Sequence, residues 1–300
     1  MQYGIPYMGS KNTIADDIVN AIPPGGKILD ACCGGGAFLM AAAMSMRWSA
    51  VVGNDINPAT IKLLDAVLIN KGQIEYEHPA ACSRVDFFNS IQRIKNGDFD
   101  VQDCVNKYCA SFGNDGKSYI YGECIEEYKL IAEKMLTAET LSERRSYYRK
   151  FFDIVTNNNN DDGRIQKLEF VQRLQSLERL ERLERLERLE RLNLFDVDYS
   201  EFDIVYFDPP YKGTHEYDFK FDYERFYDLF SSLKIPAFLS EYDAPFECVA
   251  EFEKPQMMAA SVGSTKSTTK EKLYFNGSKE HYKQLMGRFY KEKDMQLSLF

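Results

Sequence analysis

Asp208-Pro209-Pro210-Tyr211 follows directly on Phe202 to Phe207, a Phe-Asp-Ile-Val-Tyr-Phe run that reads as a buried strand. The tetrapeptide therefore sits at the carboxyl end of a strand, where open α/β sheets place their ligands. A planar exocyclic amine such as adenine N6 is a poor nucleophile, because its lone pair is delocalised into the ring. Two acceptors on its N–H groups draw that lone pair out toward sp³ geometry. The Asp208 carboxylate supplies one acceptor, the Pro209 carbonyl a second, and the Tyr211 ring a face for the base to stack on. The two prolines keep the turn stiff. The same residues also suit a plain rigid turn.

A second candidate is the glycine turn in Asp30-Ala31-Cys32-Cys33-Gly34-Gly35-Gly36-Ala37-Phe38, which lets a ligand approach the backbone between a strand and a helix. Its spacing differs from Gly-x-Gly-x-x-Gly. Asp55 comes about 20 residues after the glycines, where an acid can grip both hydroxyls of a ribose. In Asn54-Asp55-Ile56-Asn57-Pro58 it also suits a helix cap.

These residues need elements to hold them. Ile14 to Ile22 has helical spacing and stops at Pro23-Pro24-Gly25-Gly26. Lys27 to Asp30 reads as a strand, Ala37 to Met46 as a helix, Ser49 to Asn54 as a strand and Ala59 to Asn70 as a helix. Strand, glycine turn, helix, strand, acid opens a doubly wound sheet. From about residue 76 the composition turns aromatic, polar and helical, and the sheet resumes with Phe202 to Phe207 and Ala237 to Ser240. The expected organisation is a sheet domain from 1–75 and 194–293, a mostly helical insertion at 76–193 and a short tail at 294–300.

Within the insertion, Leu174, Leu177, Leu180, Leu183, Leu186, Leu189 and Leu192 recur every third residue, mostly as Leu-Glu-Arg. On an α-helix such leucines walk round the cylinder instead of forming a stripe, which disfavours a coiled coil. Glu178/Arg182, Glu181/Arg185, Glu184/Arg188 and Glu187/Arg191 fall at i, i+4 with the acid first, each worth about 0.3–0.5 kcal/mol. The reading of 174–192 is a solvated helix, with a ladder of three residues per turn as the alternative.

Composition closes off several classes. Seven cysteines are an odd number without a Cys-x-x-Cys pair, and only three histidines accompany them, which argues against a disulfide framework and a zinc site and for a reducing cytoplasm. Lys11, Asp16 and Asp17 interrupt the first twenty residues, and the longest apolar run, Ala37 to Met46, is about half of the ~20 residues a membrane span needs. Neither a signal peptide nor a membrane helix is expected. The net charge of −9 looks wrong for a nucleic-acid binder, yet residues 254–293 hold nine Lys/Arg against three Glu, so basic surface is concentrated locally.

Taken together, these motifs make the chain resemble the DNA adenine methylase family, the alpha-type amino methyltransferases of bacteria and phages, in which a glycine-rich motif, a target-recognition insertion and Asp-Pro-Pro-Tyr follow in that order. Tyr7-Met8-Gly9-Ser10-Lys11 resembles the family's N-terminal motif, which implies contacts from Tyr7 and Lys11 to S-adenosyl-L-methionine. Asp30 to Phe38 is similar to the motif around the methionine moiety, implying Asp30, Gly34, Gly36 and Phe38 there. Asp55 matches the ribose-binding acid. Asp208, Pro209 and Tyr211 match the catalytic motif, with Asp208 also beside the cofactor. Asp198-Tyr199 resembles the pair that contacts the cofactor's adenine. Ser111 to Tyr121 and Ser240-Glu241-Tyr242 look like phage-type members. Cys32-Cys33 departs from the family, in which an aromatic is common, and so does the Leu-Glu-Arg tract.

The resemblance implies a Rossmann-like class I methyltransferase sheet and a site-specific DNA adenine N6-methyltransferase acting on a flipped-out base in double-stranded DNA. It implies no metal and no covalent enzyme intermediate. Cytosine N4 methylation shares the amine chemistry and stays open, as do RNA methylation and a catalytically idle DNA- or clamp-binding protein. DNA contact falls to Arg144, Arg145, Arg149 and Lys150, interleaved with Tyr147 and Tyr148, and to Lys266, Lys270 and Lys272 in a Ser/Thr-rich loop; each also suits a solvated face. Gln296-Leu297-Ser298-Leu299-Phe300 resembles the peptide that docks on bacterial sliding clamps, through Gln296, Leu297, Leu299 and Phe300, and also suits packing back on the domain.

Overall fold

A computed structural model describes residues 3–70, 82–123, 126–157, 183–211, 221–255 and 268–287. They group into two units. One is drawn from Tyr3, Lys11–Ile61 and the described part of Leu183–Phe300; the other comes from Gly4–Ser10 and the described part of Lys62–Arg182. The sequence-based division at 75/76 and 193/194 thus differs from this grouping, in which residues 4–10 and 62–70 go with the helical unit and residues 183–193 with the sheet.

The first unit is an α/β sheet of seven strands in the order β3-β2-β1-β4-β5-β7-β6. Its strands are β1 (Gly25–Asp30), β2 (Trp48–Asn54), β3 (Leu186–Glu190), β4 (Ile204–Phe207), β5 (Ala237–Glu241), β6 (Glu247–Pro255) and β7 (Thr268–Phe275). The first five run parallel, whereas β7 is antiparallel to β5 and β6. Helix α1 (Ala15–Ala21) precedes β1, as its apolar spacing predicts, and α2 (Ala37–Ser45), an alanine-rich run without breakers, joins β1 to β2.

Alternation along β4 explains why the sheet is covered on both faces. Tyr206 points to one side, where its ring centroid lies 4.0 Å from that of Phe38 on α2. Phe207 points to the other, against Phe226 and Phe230 at 5.3 and 5.9 Å. Helix α3 (Pro58–Leu64) continues as one π-helical turn, Asp65–Ile69, closed by Asn70 N–H on the Asp65 carbonyl at 2.8 Å. Its cap is Asn57, whose side chain accepts from Ala59 and Thr60 N–H.

The second unit is mostly helical among its described residues, as expected. It contains α4 (Arg84–Asn96), α5 (Val101–Cys109), α6 (Glu126–Thr137) and α7 (Leu141–Asn157). Reciprocal capping boxes start α4 (Ser83 with Asp86) and α5 (Asp100 with Asp103). Between α5 and α6, Ser111 pairs with Tyr119 around a tight turn, and Tyr119 and Tyr121 are buried. In the sheet unit, α8 (Tyr223–Ser232) is capped by Asp222 and supplies Phe226 and Phe230.

The Leu-Glu-Arg tract corrects the helical reading. Residues 174–182 lie outside the described residues, but Leu186–Glu190 is strand β3 on the sheet edge. Arg188 pairs with Glu187, Glu190 and Glu201, and Glu187 with Lys27. These partners replace the i, i+4 pairs Glu184/Arg188 and Glu187/Arg191. The cause is a register irregularity: Val51 faces Leu186, but Val52 faces Arg188 and Gly53 faces Leu189. One extra residue is absorbed, so leucines three apart meet positions two apart on the same face of β2. A period of three thereby becomes strand-compatible.

Candidate active site

β1 ends at Asp30, and the backbone then turns through Gly34 (φ 45) and Gly36 (φ 77) into α2. Both glycines occupy the left-handed region, which a side chain disfavours. The turn is tied to β2: Cys33 N–H donates to the Asn54 carbonyl at 2.8 Å, and Gly34 N–H to Asp55 Oδ2 at 2.9 Å. Asp55 Oδ1 accepts from Asn57 N–H at 2.8 Å. Asp55 therefore binds the glycine turn and its own loop, while capping of α3 falls to Asn57. Burial raises the Asp55 pKa, against the pull of the Asn57 and Gly34 N–H groups.

Asp30 is 1% exposed, and neither carboxylate oxygen has a hydrogen-bond partner of ordinary geometry. Burial, then the charges of Asp208 and Asp55, push its pKa well above the usual carboxylate range; Lys11 and the Cys32 N–H pull weakly the other way.

Asp208, one residue beyond β4, is gripped by Lys11, whose Nζ lies 2.6 Å from both carboxylate oxygens across 197 residues of sequence. Lys11 is 5% exposed. Burial alone lowers its pKa, but the carboxylates of Asp208 and Glu271 outweigh that and hold it above the ordinary lysine value. Tyr211 donates from its hydroxyl to Glu271 Oε1 at 2.6 Å, and its ring meets Tyr242 edge-on at 4.7 Å. Burial first, then Asp208 and Glu271, hold the Tyr211 phenol protonated. Tyr223 donates to the Pro210 carbonyl at 2.7 Å, whereas no hydrogen bond reaches the Pro209 carbonyl among the described residues.

Lys11, Asp30, Gly34, Gly36, Asp55, Asp208, Pro209 and Tyr211 belong to the sheet unit, and their charges act on one another along the edge where β1, β2 and β4 end. The remaining expected site residues have the following partners. Phe38 is buried against Tyr206 and Trp48. Asp198 is exposed and accepts from Ser200 N–H and hydroxyl, capping a short turn; Tyr199 is buried and donates to the Leu194 carbonyl. Tyr7 groups with the helical unit, its ring 5.9 Å from Tyr108.

Arg144, Arg145, Arg149 and Lys150 are exposed on α7. Lys270 and Lys272 lie on strand β7, beside Glu251 and Asp243, not in a loop as expected. Lys266 and residues 296–300 lie outside the described residues. Glu271 was missed, although Glu271, Leu273 and Phe275 alternate along β7 and a carboxylate on an apolar face is itself a signal.

Among the described residues no helix is long and apolar enough to cross a membrane, and no cluster of His, Cys, Asp and Glu could hold a metal. No curated protein matches the chain. Among solved structures, the rRNA methyltransferase aviRa from Streptomyces viridochromogenes is similar at 16% identity over 88% of this chain and 83% of that one, with a TM-score of 0.33. The model of the D12 class N6 adenine-specific DNA methyltransferases matches residues 7–186, more than half of the chain. The matched stretch carries Lys11, Asp30 and Asp55, and the Lys11 ion pair brings Asp208 to them from beyond it. The chain belongs to the D12 class N6 adenine-specific DNA methyltransferases, enzymes that methylate adenine N6 in DNA with S-adenosylmethionine as the methyl donor.

Proposed function

We propose that Asp208, Pro209 and Tyr211 act on the target amine and that Lys11, Asp30, Gly34, Gly36 and Asp55 hold the methyl donor. The observation that carries this reading is the Lys11–Asp208 ion pair, which joins the two motifs beside Asp30. The residues fit the cofactor chemically. S-adenosylmethionine is cationic at its ammonium and sulfonium, and Asp30 offers a buried carboxylate whose oxygens have no hydrogen-bond partner of ordinary geometry. Such a group is costly alone and favourable beside a cation. When bound, the cofactor supplies a methyl group on a good leaving group.

The chain's own residues do the rest. The Lys11 ammonium balances the Asp208 charge and leaves carboxylate lone pairs for an amine N–H. The Pro209 carbonyl accepts the second N–H, and the Tyr211 ring stacks on the base. Asp208 acts as an acceptor, since a carboxylate is a weak base and the amine becomes acidic only after methylation, when water takes the proton. The adenine leaves the duplex because its amine is otherwise paired, and the exposed α7 cations contact phosphates. The reading keeps the chain in the cytoplasm with its DNA.

Long-read sequencing of plasmid DNA from cells expressing wild type and Asp208→Ala tests this. N6-methyladenine at one short motif, absent with Asp208→Ala, is expected; N4-methylcytosine or an unchanged pattern would reject it. We also propose that residues 296–300 dock on a sliding clamp, on the strength of their Gln-Leu-Ser-Leu-Phe pattern. Their deletion should abolish clamp pull-down and spare methylation of short duplexes; loss of both would mean a structural tail.

A further inference from the structure

Glu271 belongs to none of the sequence motifs, yet its side chain is fully buried beside the residues that bear the chemistry. Because β7 runs antiparallel, its first residues lie along the edge where the parallel strands end: Lys272 faces Glu241, the last residue of β5. Alternation puts Glu271 on the face shared with the buried Leu273 and Phe275. A carboxylate there is tolerable only with strong partners. It has two that matter to the site: it accepts from the Tyr211 hydroxyl at 2.6 Å and faces Lys11 Nζ at 3.3 Å. Lys11 in turn lies 4.6 Å from the centroid of the Tyr211 ring and grips both Asp208 oxygens.

We propose that Glu271 is a positioning residue for methyl transfer, fixing the ring on which the base stacks and the lysine that orients the amine acceptor through one buried carboxylate. This rests on the assignment of Asp208 to Tyr211 as the active site. Both halves of the amine site, acceptor and stacking face, then move together. Losing Glu271 frees the Tyr211 hydroxyl and leaves Lys11 balanced by Asp208 on one side only. The consequence falls chiefly on the chemical step, since a misplaced reacting group costs about 10²-fold; among the donor-holding residues Glu271 touches Lys11 alone, which keeps its ion pair with Asp208.

The test combines steady-state kinetics on unmethylated plasmid DNA, hydrogen exchange of the Tyr206 to Tyr211 segment, and a double-mutant cycle. Glu271→Ala should lower kcat by about 10²-fold while KM for S-adenosylmethionine changes by less than about threefold. Exchange in that segment should rise while β1 and β2 stay protected. Glu271→Gln keeps an acceptor for Tyr211 and should recover about tenfold of the loss. Tyr211→Phe added to Glu271→Ala should cost less than the two losses combined, because they break one contact. Additive losses, or a kcat loss matched by a general fall in melting temperature, would overturn the proposal. An active wild type with kcat and exchange unchanged in Glu271→Ala would overturn it and leave the active-site reading intact. A wild type that transfers no methyl group, with the segment still loosened by Glu271→Ala, would overturn the active-site reading and leave only the tether.

Discussion

On the β4–β5–β7 side of the sheet, Lys11, Asp208, Tyr211 and Glu271 are tied to one another by specific contacts of 2.6 to 3.3 Å. At the opposite edge, β3 is made of triplets that are chemically interchangeable. The first region is built around the buried Lys11 and Glu271, so their polar atoms depend on their partners, and removing one strands another in a low-dielectric interior. The second is half open to water, where ion pairs such as Arg188 with Glu201 are worth about 0–1 kcal/mol. The sheet thus concentrates its dependence on residue identity where chemistry happens and keeps a tolerant edge elsewhere.

Four changes test that contrast, in falling order of effect. Asp208→Ala removes an amine acceptor and should lower single-turnover methyl transfer by at least about 10²–10³-fold, with donor affinity retained. A variant within tenfold of wild type would show that the network is scaffolding. Asp30→Asn should weaken S-adenosylmethionine binding by at least about tenfold, measured by calorimetry, because it discards the buried charge that the cation pairs with. The same variant should melt higher than wild type without donor at pH values where the buried acid would have to ionise, since an amide carries no charge to desolvate.

The pH dependence gives the sign. With a raised folded-state pKa, Asp30 holds a proton that the unfolded chain releases near pH ~4. Its stabilising contribution is complete below that pH and is lost as pH rises through the folded value. The advantage of Asp30→Asn should therefore widen with rising pH; a constant gap would contradict it.

Gly53→Ala probes the seam with the tolerant edge. A Cβ there would meet Leu189 Cδ2 at 2.8 Å and Leu39 at 3.0 Å, so about 1–3 kcal/mol of destabilisation by denaturant titration is expected. The smallest effect belongs to loss of one Leu-Glu-Arg triplet. Whichever complete triplet within 177–191 is removed, the residues preceding Asn193 stay the same, so β3 keeps its sequence. Stability should shift by no more than about 0.5 kcal/mol. A large drop would mean that the edge, too, depends on particular residues.

Much of this was readable beforehand where local chemistry decides. The strands ending at Asp30, Asn54 and Phe207, the helix after the glycine turn, and Asp208 as a candidate acceptor follow from apolar runs and breakers. Asp198 and Phe38 show the limit, since a motif position does not reveal whether a side chain faces a ligand, a neighbouring N–H or the core. The Leu-Glu-Arg tract shows another. Its helix-favouring pairs are real options, but parallel pairing with β2 and a one-residue bulge won, as tertiary context routinely overrides weak local preference.

The chemistry available at each strand end is written in the local order of residues, because residue type and strand termination are local properties: a buried run closing on Asp208-Pro209-Pro210-Tyr211, glycines after Asp30, an acid at 55. Which of these meet is a matter of the folded sheet. Asp208 comes to the Asp30 end because β1 and β4 are neighbours in the sheet, and Glu271 reaches Tyr211 because β7 is inserted antiparallel beside β5. Strand order and direction are set by the burial of whole faces, summed over residues far apart in the chain, and no local pattern encodes that sum.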